Sequence, residues 1–231
     1  MFRSACLRCS PTFWVVRVFD IRIVAHTSRA NRAHRLAAWL HSHQSAERVS
    51  ISIDDGTLGA FGNHRRSLLG AHEDAEYAPV GRTHALILED DALPCIDLLD
   101  AASHAVAERP DHLLGLYVGR HKPTNLQAVI ELAVSAADAN GSDWLDVGGG
   151  TLWGVGYVMP ISNIPAVVAR ADELDNVGMG ADLRIGHWHA ERNRLSFPWP
   201  SLVEHGDLPS LSGSFRPRGR VAWRTRPLAE W

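Results

Sequence analysis

The sequence predicts an α/β fold in which a mostly parallel central sheet is flanked by helices within a single domain. Strand-like and helix-like hydrophobic patterns alternate over the first 120 residues, which is typical of parallel strands joined by helices. Some strand candidates are unbroken apolar runs, as expected where helices cover both faces of a sheet. The chain has 231 residues, 45% of them hydrophobic, so it is long enough to bury one sizeable core.

The first strand is predicted at residues 21–25, an almost wholly apolar segment. Apolar residues then recur at helical spacing over 31–43, and Thr27 or Ser28 precedes this helix as a candidate cap. The second strand is predicted at 49–53, where apolar residues alternate with serines. This strand, helix and strand begin the α/β pattern.

The pattern continues with a helix at about 63–75 and a buried strand at 85–88, four successive apolar residues. A helix is predicted at about 96–109, and it ends there because Pro110 cannot continue it. Another buried strand is predicted at 113–118. These elements complete the regular part of the predicted sheet.

Beyond residue 120 the pattern is less regular. Periodicity leaves 128–137 open between a helix and a short strand. Residues 148–159 form a glycine-dense approach to a strand, and 164–171 and 181–190 are predicted to be helices. The chain after Pro198 is proline-rich and is expected to be irregular.

We expect the folded domain to span residues 20–211. Residues 1–19 are predicted to be an N-terminal extension whose Cys6 and Cys9 lack the second ligand pair of a structural zinc site. Residues 212–231 are predicted to be a basic tail or a mobile flap. Its arginines are Arg216, Arg218, Arg220, Arg224 and Arg226.

Composition excludes several classes of protein. Acidic residues number 26 against 23 basic ones, so a nucleic-acid-binding surface, which needs an excess of Lys and Arg, is not expected. No apolar run approaches the roughly 20 residues that cross a bilayer, so no membrane span is expected. The odd cysteine count of three favours a reducing compartment. We therefore expect a cytoplasmic protein, with no secretory signal because Arg17 interrupts the early apolar segment.

Polar and acidic residues follow three of the predicted strands. Ligands of such sheets bind beyond the carboxyl ends of the strands, which selects 26–29, 54–56 and 89–91 as neighbours around one crevice. Side chains alternate along an extended chain, so Glu89 and Asp91 point the same way. Two such carboxylates suit a hard cation such as Mn²⁺ or Mg²⁺, although a solvated acidic turn is the alternative.

The run Leu86–Ala92 reads LILEDDA and resembles the "LEDDA" motif of small glycosyltransferases related to the lipopolysaccharide and collagen galactosyltransferase group, including short phage-encoded members. The resemblance covers roughly residues 20–223, and only the acidic tip is specific on its own. It implies a GT-A-like fold, a nucleotide-diphosphate-sugar donor such as a UDP-sugar, and a DxD-type metal motif. This chain has Glu89, Asp90 and Asp91 instead of a strict D-x-D, which leaves open whether Glu89 or Asp90 reaches the ribose or the metal.

The resemblance also implies roles for single residues. Asp91, with Glu89 or Asp90, would hold the metal, and His205 or Asp207 matches the late metal ligand of such enzymes. A hydrogen-bonded loop histidine is the alternative for His205.

Donor contacts are implied at the ends of the first two strands. His26 and Arg29 would lie near the donor, with the Arg29 guanidinium, or less plausibly that of Arg65 or Arg66, at the diphosphate. Asp54 and Asp55 resemble acids that bind the ribose or base, and a turn is their alternative role.

Further donor contacts are implied by residues 153–157. Gly154 would let the backbone approach the sugar or would form a turn. Tyr157 and Trp153 would stack on the sugar or pack in the core.

Asp182 is the candidate catalytic base, because it opens a predicted helix after a Gly-Met-Gly turn. A helix cap is the alternative role, and Asp172, Glu173 and Asp175 are competing candidates. The function expected is a metal-dependent hexosyltransferase acting with inversion on an acceptor glycan, protein or other hydroxyl compound. A metal-dependent nucleotidyltransferase or phosphohydrolase, and a non-catalytic nucleotide-sugar-binding module, are the alternatives.

Overall fold

The computed structural model describes residues 18–44, 46, 48–77, 81–147, 151–174, 179–209 and 219–230. Most of the predicted N-terminal extension, with Cys6 and Cys9, lies outside these residues. So does the predicted boundary between domain and tail at 211 and 212.

The described chain alternates strands and helices as predicted. The strands are β1 Phe19–His26, β2 Val49–Asp54, β3 His84–Glu89, β4 Ala92–Pro94, β5 Leu113–Gly115, β6 Trp144–Leu145, β7 Gly156–Pro160, β8 Leu195–Pro198 and β9 Val203–His205. The α-helices are α1 Ala30–His43, α2 Gly59–Tyr77, α3 Leu98–Glu108, α4 Gln127–Asn140, α5 Ile164–Glu173 and α6 Ala181–Ala190.

A seven-stranded sheet, in the order β2-β1-β3-β7-β5-β8-β6, forms the centre of the protein. Strands β2, β1 and β3 are parallel, and so are β5 and β8. Strand β7 runs antiparallel to both β3 and β5, and β6 runs antiparallel to β8. The predicted α/β class, a sheet flanked by helices in one Rossmann-related domain, is confirmed, with the sheet mixed rather than uniformly parallel.

Helices cover both faces of the sheet, and β3 shows why its sequence is unbroken apolar. Leu86 and Leu88 belong to one hydrophobic cluster, which also takes residues of α1, α3 and α4. Ala85 and Ile87 belong to the other cluster, with residues of α2, α5 and α6. Each of these four β3 side chains is fully buried, which stabilises the fold by roughly 1.5–3 kcal/mol for each of the larger ones.

The structure differs from expectation where strands are short. Residues 113–118 were expected to form one strand, but β5 ends at Gly115, and the next N–H, that of Leu116, donates to Gly156. Strands β4 and β9 form a separate two-stranded sheet that was not predicted. Elements of two to four residues are too short to show a period of two. The segment left open between helix and strand is the helix α4.

The last described residues lie against the body of the protein. The Trp223 N–H donates to the Val118 carbonyl, the Ser201 N–H donates to the Arg224 carbonyl, and the Ala229 N–H donates to the Pro94 carbonyl, each at 3.0 Å. Residues 219–230 are therefore not a solvated tail. Their sequence is too irregular to form a core element, but backbone hydrogen bonds hold them against the rest of the protein. No helix in the described part of the chain is both long and apolar enough to cross a membrane.

Candidate active site at the carboxyl edge of the sheet

The carboxyl ends of β1, β2 and β3 meet at one edge of the sheet, as the order of the elements predicted. His26 is in register with Asp54 across β1 and β2, and Glu89 is in register with Val24. The chain then turns through Asp90 and Asp91, so that these acids stand level with the end of β1. The antiparallel strand β7 begins at this same edge, because Gly156 pairs with Leu88.

Asp90 points inward and connects two elements. The residue is 4% exposed, and its carboxylate accepts hydrogen bonds from the His26 N–H and from Arg29 Nη1, both at 3.0 Å. Both oxygens are thus used in holding the turn between β1 and α1. Asp90 is the least available of the three acids for a donor or a metal.

Asp91 is a buried carboxylate whose negative charge is only partly compensated by neighbouring groups. Its Oδ2 lies 3.4 Å from Arg29 Nη1 and 3.8 Å from His205 Nε2. Its Oδ1 is buried and accepts no hydrogen bond from the described residues. Burial, together with the negative charges of Glu89 and Asp90, raises the pKa of Asp91 to about 7.

Glu89 is more open than its neighbours, with 34% of its side chain exposed. Its Oε1 lies 3.3 Å from Nε2 of His64, a buried residue of α2. Burial acts to raise the pKa of Glu89, but the hydrogen bond from His64 and the charge of Arg220 outweigh it and lower that pKa. No local pattern in the sequence distinguishes His64 from the other histidines of the chain, so it was not among the predicted site residues.

His205 lies beside Asp91, as predicted for a late-chain partner of the acids, and is only 7% exposed. Its Nδ1 accepts a 2.8 Å hydrogen bond from the Asp207 N–H. In the neutral ring the proton is therefore on Nε2, the nitrogen that faces Asp91. Burial and the charge of Arg220 lower the pKa of His205 to about 4.

These residues differ in how well they suit the binding of a divalent cation. Asp91 fits, because a cation at its carboxylate would compensate an oxygen without a partner, and Glu89 presents an open carboxylate beside it. His205 does not fit while its Nε2 carries the proton. No cluster of three or more His, Cys, Asp or Glu side chains suited to a metal occurs among the described residues. Mg²⁺ commonly takes only one or two protein carboxylates, with substrate phosphates and water completing its shell.

The two acids at the end of β2 have different surroundings. Asp54 is buried, and its carboxylate accepts hydrogen bonds from the N–H groups of Gly56, at 2.9 Å, and Leu58, at 3.3 Å. It serves the turn, where Gly56 has a φ of 101° that favours glycine. Asp55 is exposed, with one oxygen bound to the Thr57 N–H, and the hydrogen bonds from Thr57 lower its pKa. Asp55 is the one of the pair that faces solvent.

Arg29 acts as a counter-ion to the acids. Besides its contacts with Asp90 and Asp91, it donates through Nη2 to the Pro209 carbonyl. The His26 ring lies above the neighbouring turn, where its Nδ1 accepts a 3.1 Å hydrogen bond from the Ser28 N–H. This hydrogen bond makes His26 the cap of the 3-10 turn Thr27–Arg29. Helix α1 itself begins after Arg29 with no side-chain cap, so the prediction of Thr27 or Ser28 as its cap was wrong.

Arg220 is a second cation at this edge, and Asp207 holds it there. The Asp207 carboxylate accepts hydrogen bonds from Gly219 N–H at 2.6 Å and from Arg220 Nε at 3.3 Å. Asp207 has a φ of 47°, which is uncommon outside glycine. Arg220 was predicted only as part of the basic tail, and nothing local in the sequence connects it to Asp207.

Asp182 and Glu89 approach each other at Gly154. A Cβ built at Gly154 would lie 2.9 Å from Glu89 Oε1 and 3.6 Å from the Asp182 Cβ. The absence of a side chain at Gly154 thus makes room for the Glu89 carboxylate beside the Asp182 side chain. The cap of α6 is Gly180, and Asp182 accepts a 3.0 Å hydrogen bond from the Leu183 N–H within the first turn.

Other candidates lie elsewhere. Tyr157 is fully buried, so it packs in the core and does not present its ring to a ligand. Trp153 is 8% exposed and donates to the Lys122 carbonyl. Arg65 is bound to Asp172 on the surface. Two alternatives to Asp182 as the base remain. Glu173 pairs with Arg170 on the surface, and Asp175 is not among the described residues.

Comparisons with known proteins add no assignment. A scan against protein-family models and a search of curated proteins each gave no match to this chain.

Proposed function

We propose that this protein is a glycosyltransferase of the GT-A type that moves a sugar from a nucleotide-diphosphate donor, such as a UDP-sugar, to an acceptor hydroxyl group. One observation carries the proposal: Asp182, from a distant helix, lies with Glu89 around Gly154, at the carboxyl edge of the parallel strands. Ligands of open α/β sheets bind at this edge. The LEDDA-like run supports the same family. The odd cysteine count supports a cytoplasmic location.

The charges of the edge suit a nucleotide diphosphate. Asp91, with Glu89, would hold Mn²⁺ or Mg²⁺, and the bound cation supplies Lewis-acid stabilisation of the leaving diphosphate. Arg220 adds a guanidinium that matches phosphate oxygens. Asp55 is open to the ribose or base of the donor.

Asp182 is suited to be the catalytic base. In an inverting transfer, the acceptor oxygen bonds to the anomeric carbon while the bond from that carbon to the diphosphate oxygen breaks. The Asp182 carboxylate takes the proton that the acceptor hydroxyl loses. The N-terminus of α6 stabilises the negative charge that this role needs.

The test is nucleotide release from a panel of nucleotide-sugars with Mn²⁺, in the presence and absence of simple hydroxyl acceptors. Release limited to certain nucleotide-sugars, with sugar found on an acceptor, supports the proposal. General phosphoester cleavage indicates a phosphohydrolase or nucleotidyltransferase, and binding without turnover indicates a binding module. Asp182→Asn should lose transfer, whereas Asp172→Asn, a surface control, should keep it.

A further inference from the structure

A buried histidine outside the acidic motif reaches the candidate site. We propose that His64 is a positioning residue which, fixed by Tyr157 from the core, orients the Glu89 carboxylate toward the donor. This inference rests on the proposed function only in taking the ligand that Glu89 faces to be a nucleotide-sugar donor. The orientation of Glu89 itself is a property of the free protein.

Three side chains form a continuous chain of hydrogen bonds from the core to the site. Tyr157, on β7, is fully buried, and His64, on α2, is 3% exposed. His64 Nδ1 lies 3.1 Å from the Tyr157 hydroxyl, and its Nε2 lies 3.3 Å from Glu89 Oε1. The rings of His64 and Tyr157 are stacked, with centroids 5.9 Å apart. The chain ends at the partly open carboxylate of Glu89.

The direction of each hydrogen bond follows from the chemistry of the groups. An ionised Glu89 can only accept, so His64 must donate from Nε2. A neutral His64 then has a bare Nδ1, which must accept from the Tyr157 hydroxyl. Reversing either hydrogen bond would leave a buried polar atom unpaired, which is costly. The ring of His64 is therefore held in one tautomer and one orientation.

Gly154 restricts Glu89 from another side. The Glu89 N–H donates to the Val155 carbonyl at 2.9 Å, which fixes its backbone next to Gly154. Glu89 Oε1 occupies the space that a side chain at position 154 would need. The oxygen held by His64 is thus the one packed toward Gly154. We expect the other oxygen of Glu89 to face the site.

The first test uses the free protein and needs no ligand. In ¹⁵N-histidine-labelled protein, we expect the ¹⁵N shifts of His64 to report the Nε2–H tautomer. We expect the side-chain carboxyl ¹³C resonance of Glu89 to move in His64→Asn and to stay in place in His64→Gln, whose amide can donate from the Nε2 position. A Nδ1–H tautomer, or a Glu89 resonance indifferent to both changes, would overturn the inference.

The second test measures the dissociation constant of UDP with Mn²⁺ by calorimetry. We expect His64→Asn to raise it by about tenfold, as for loss of one hydrogen bond to a charged group, and His64→Gln to raise it by less than about threefold. His72, an open residue of the same helix, supplies the matched control His72→Asn. Equal weakening by both His64 variants would overturn the positioning role.

The two proposals fail differently. If the wild-type protein binds no nucleotide diphosphate while His64 shows the expected tautomer and Glu89 responds as expected, the proposed function is wrong and the orientation of Glu89 stands. If UDP binds normally and the tautomer is the other one, the role of His64 is wrong and the proposed function stands. Unfolding curves of each variant show whether any change in binding follows from lost folding.

Discussion

Replacing Asp91 by asparagine should stabilise the protein at neutral and alkaline pH. The folded protein holds this carboxyl at a pKa of about 7, against an ordinary value of 3.8. As pH rises from about 4 to above 7, the unfolded chain releases a proton that the folded protein retains, so unfolding becomes easier. The difference of about 3 units corresponds to up to about 4 kcal/mol. Asp91→Asn keeps the shape of the side chain and removes this penalty.

The assay is urea unfolding, followed by tryptophan fluorescence, at pH 4, 6 and 8 with a chelator present. The wild-type free energy of unfolding should fall by several kcal/mol more than that of Asp91→Asn between pH 4 and pH 8. Asp55→Asn, at an exposed acid, is the control and should follow the wild type. Parallel pH profiles for the wild type and Asp91→Asn would refute the reasoning. Mn²⁺ at 100 times its dissociation constant should then stabilise the wild type by about 2.7 kcal/mol, and Asp91→Asn hardly at all.

Three further predictions concern the base, the second cation and the core. Asp182→Asn should bind UDP as the wild type does and lose sugar transfer; a normal rate of transfer would exclude Asp182 as the base. Its unfolding free energy should change by less than about 1 kcal/mol, because Gly180 is the cap of α6. Arg220→Gln should raise the dissociation constant of UDP in a salt-dependent way, whereas Arg224→Gln, at an exposed arginine bound to Asp138, should not; equal effects would exclude a specific role. Gly115→Ala should destabilise the protein by about 1–3 kcal/mol, since its Cβ would lie 2.4 Å from the Phe197 ring; unchanged urea unfolding would contradict the packing of β5 on β8.

The parallel half of the fold could be predicted because its strands are long enough to show a pattern. β1, β2 and β3 have six to eight residues each, and the acids at their ends are visible in the sequence. β6 has two residues and β9 has three, so pairing with a neighbour, rather than local composition, defines them. The antiparallel direction of β7 likewise depends on where the chain returns to the sheet.

The candidate site was predictable where residues follow a strand directly. Glu89 and Asp91 were found in this way. His64 was not found, because it lies within α2 and only tertiary packing brings it to Glu89. Asp54 has a typical turn sequence and serves its turn. Arg220 was recognised as a basic residue, but its hydrogen bonds with Asp207 depend on residues that approach only in the folded chain.

The measurement that tests the central claim most directly is a crystal structure of the protein with UDP and Mn²⁺. The account predicts an anomalous manganese signal at the carboxylate of Asp91, with the diphosphate between this ion and Arg220. The open oxygen of Glu89 should face the ion, and Asp182 should face the position of the transferred sugar. UDP bound at another surface, or manganese away from Asp91 with UDP present, would contradict the account.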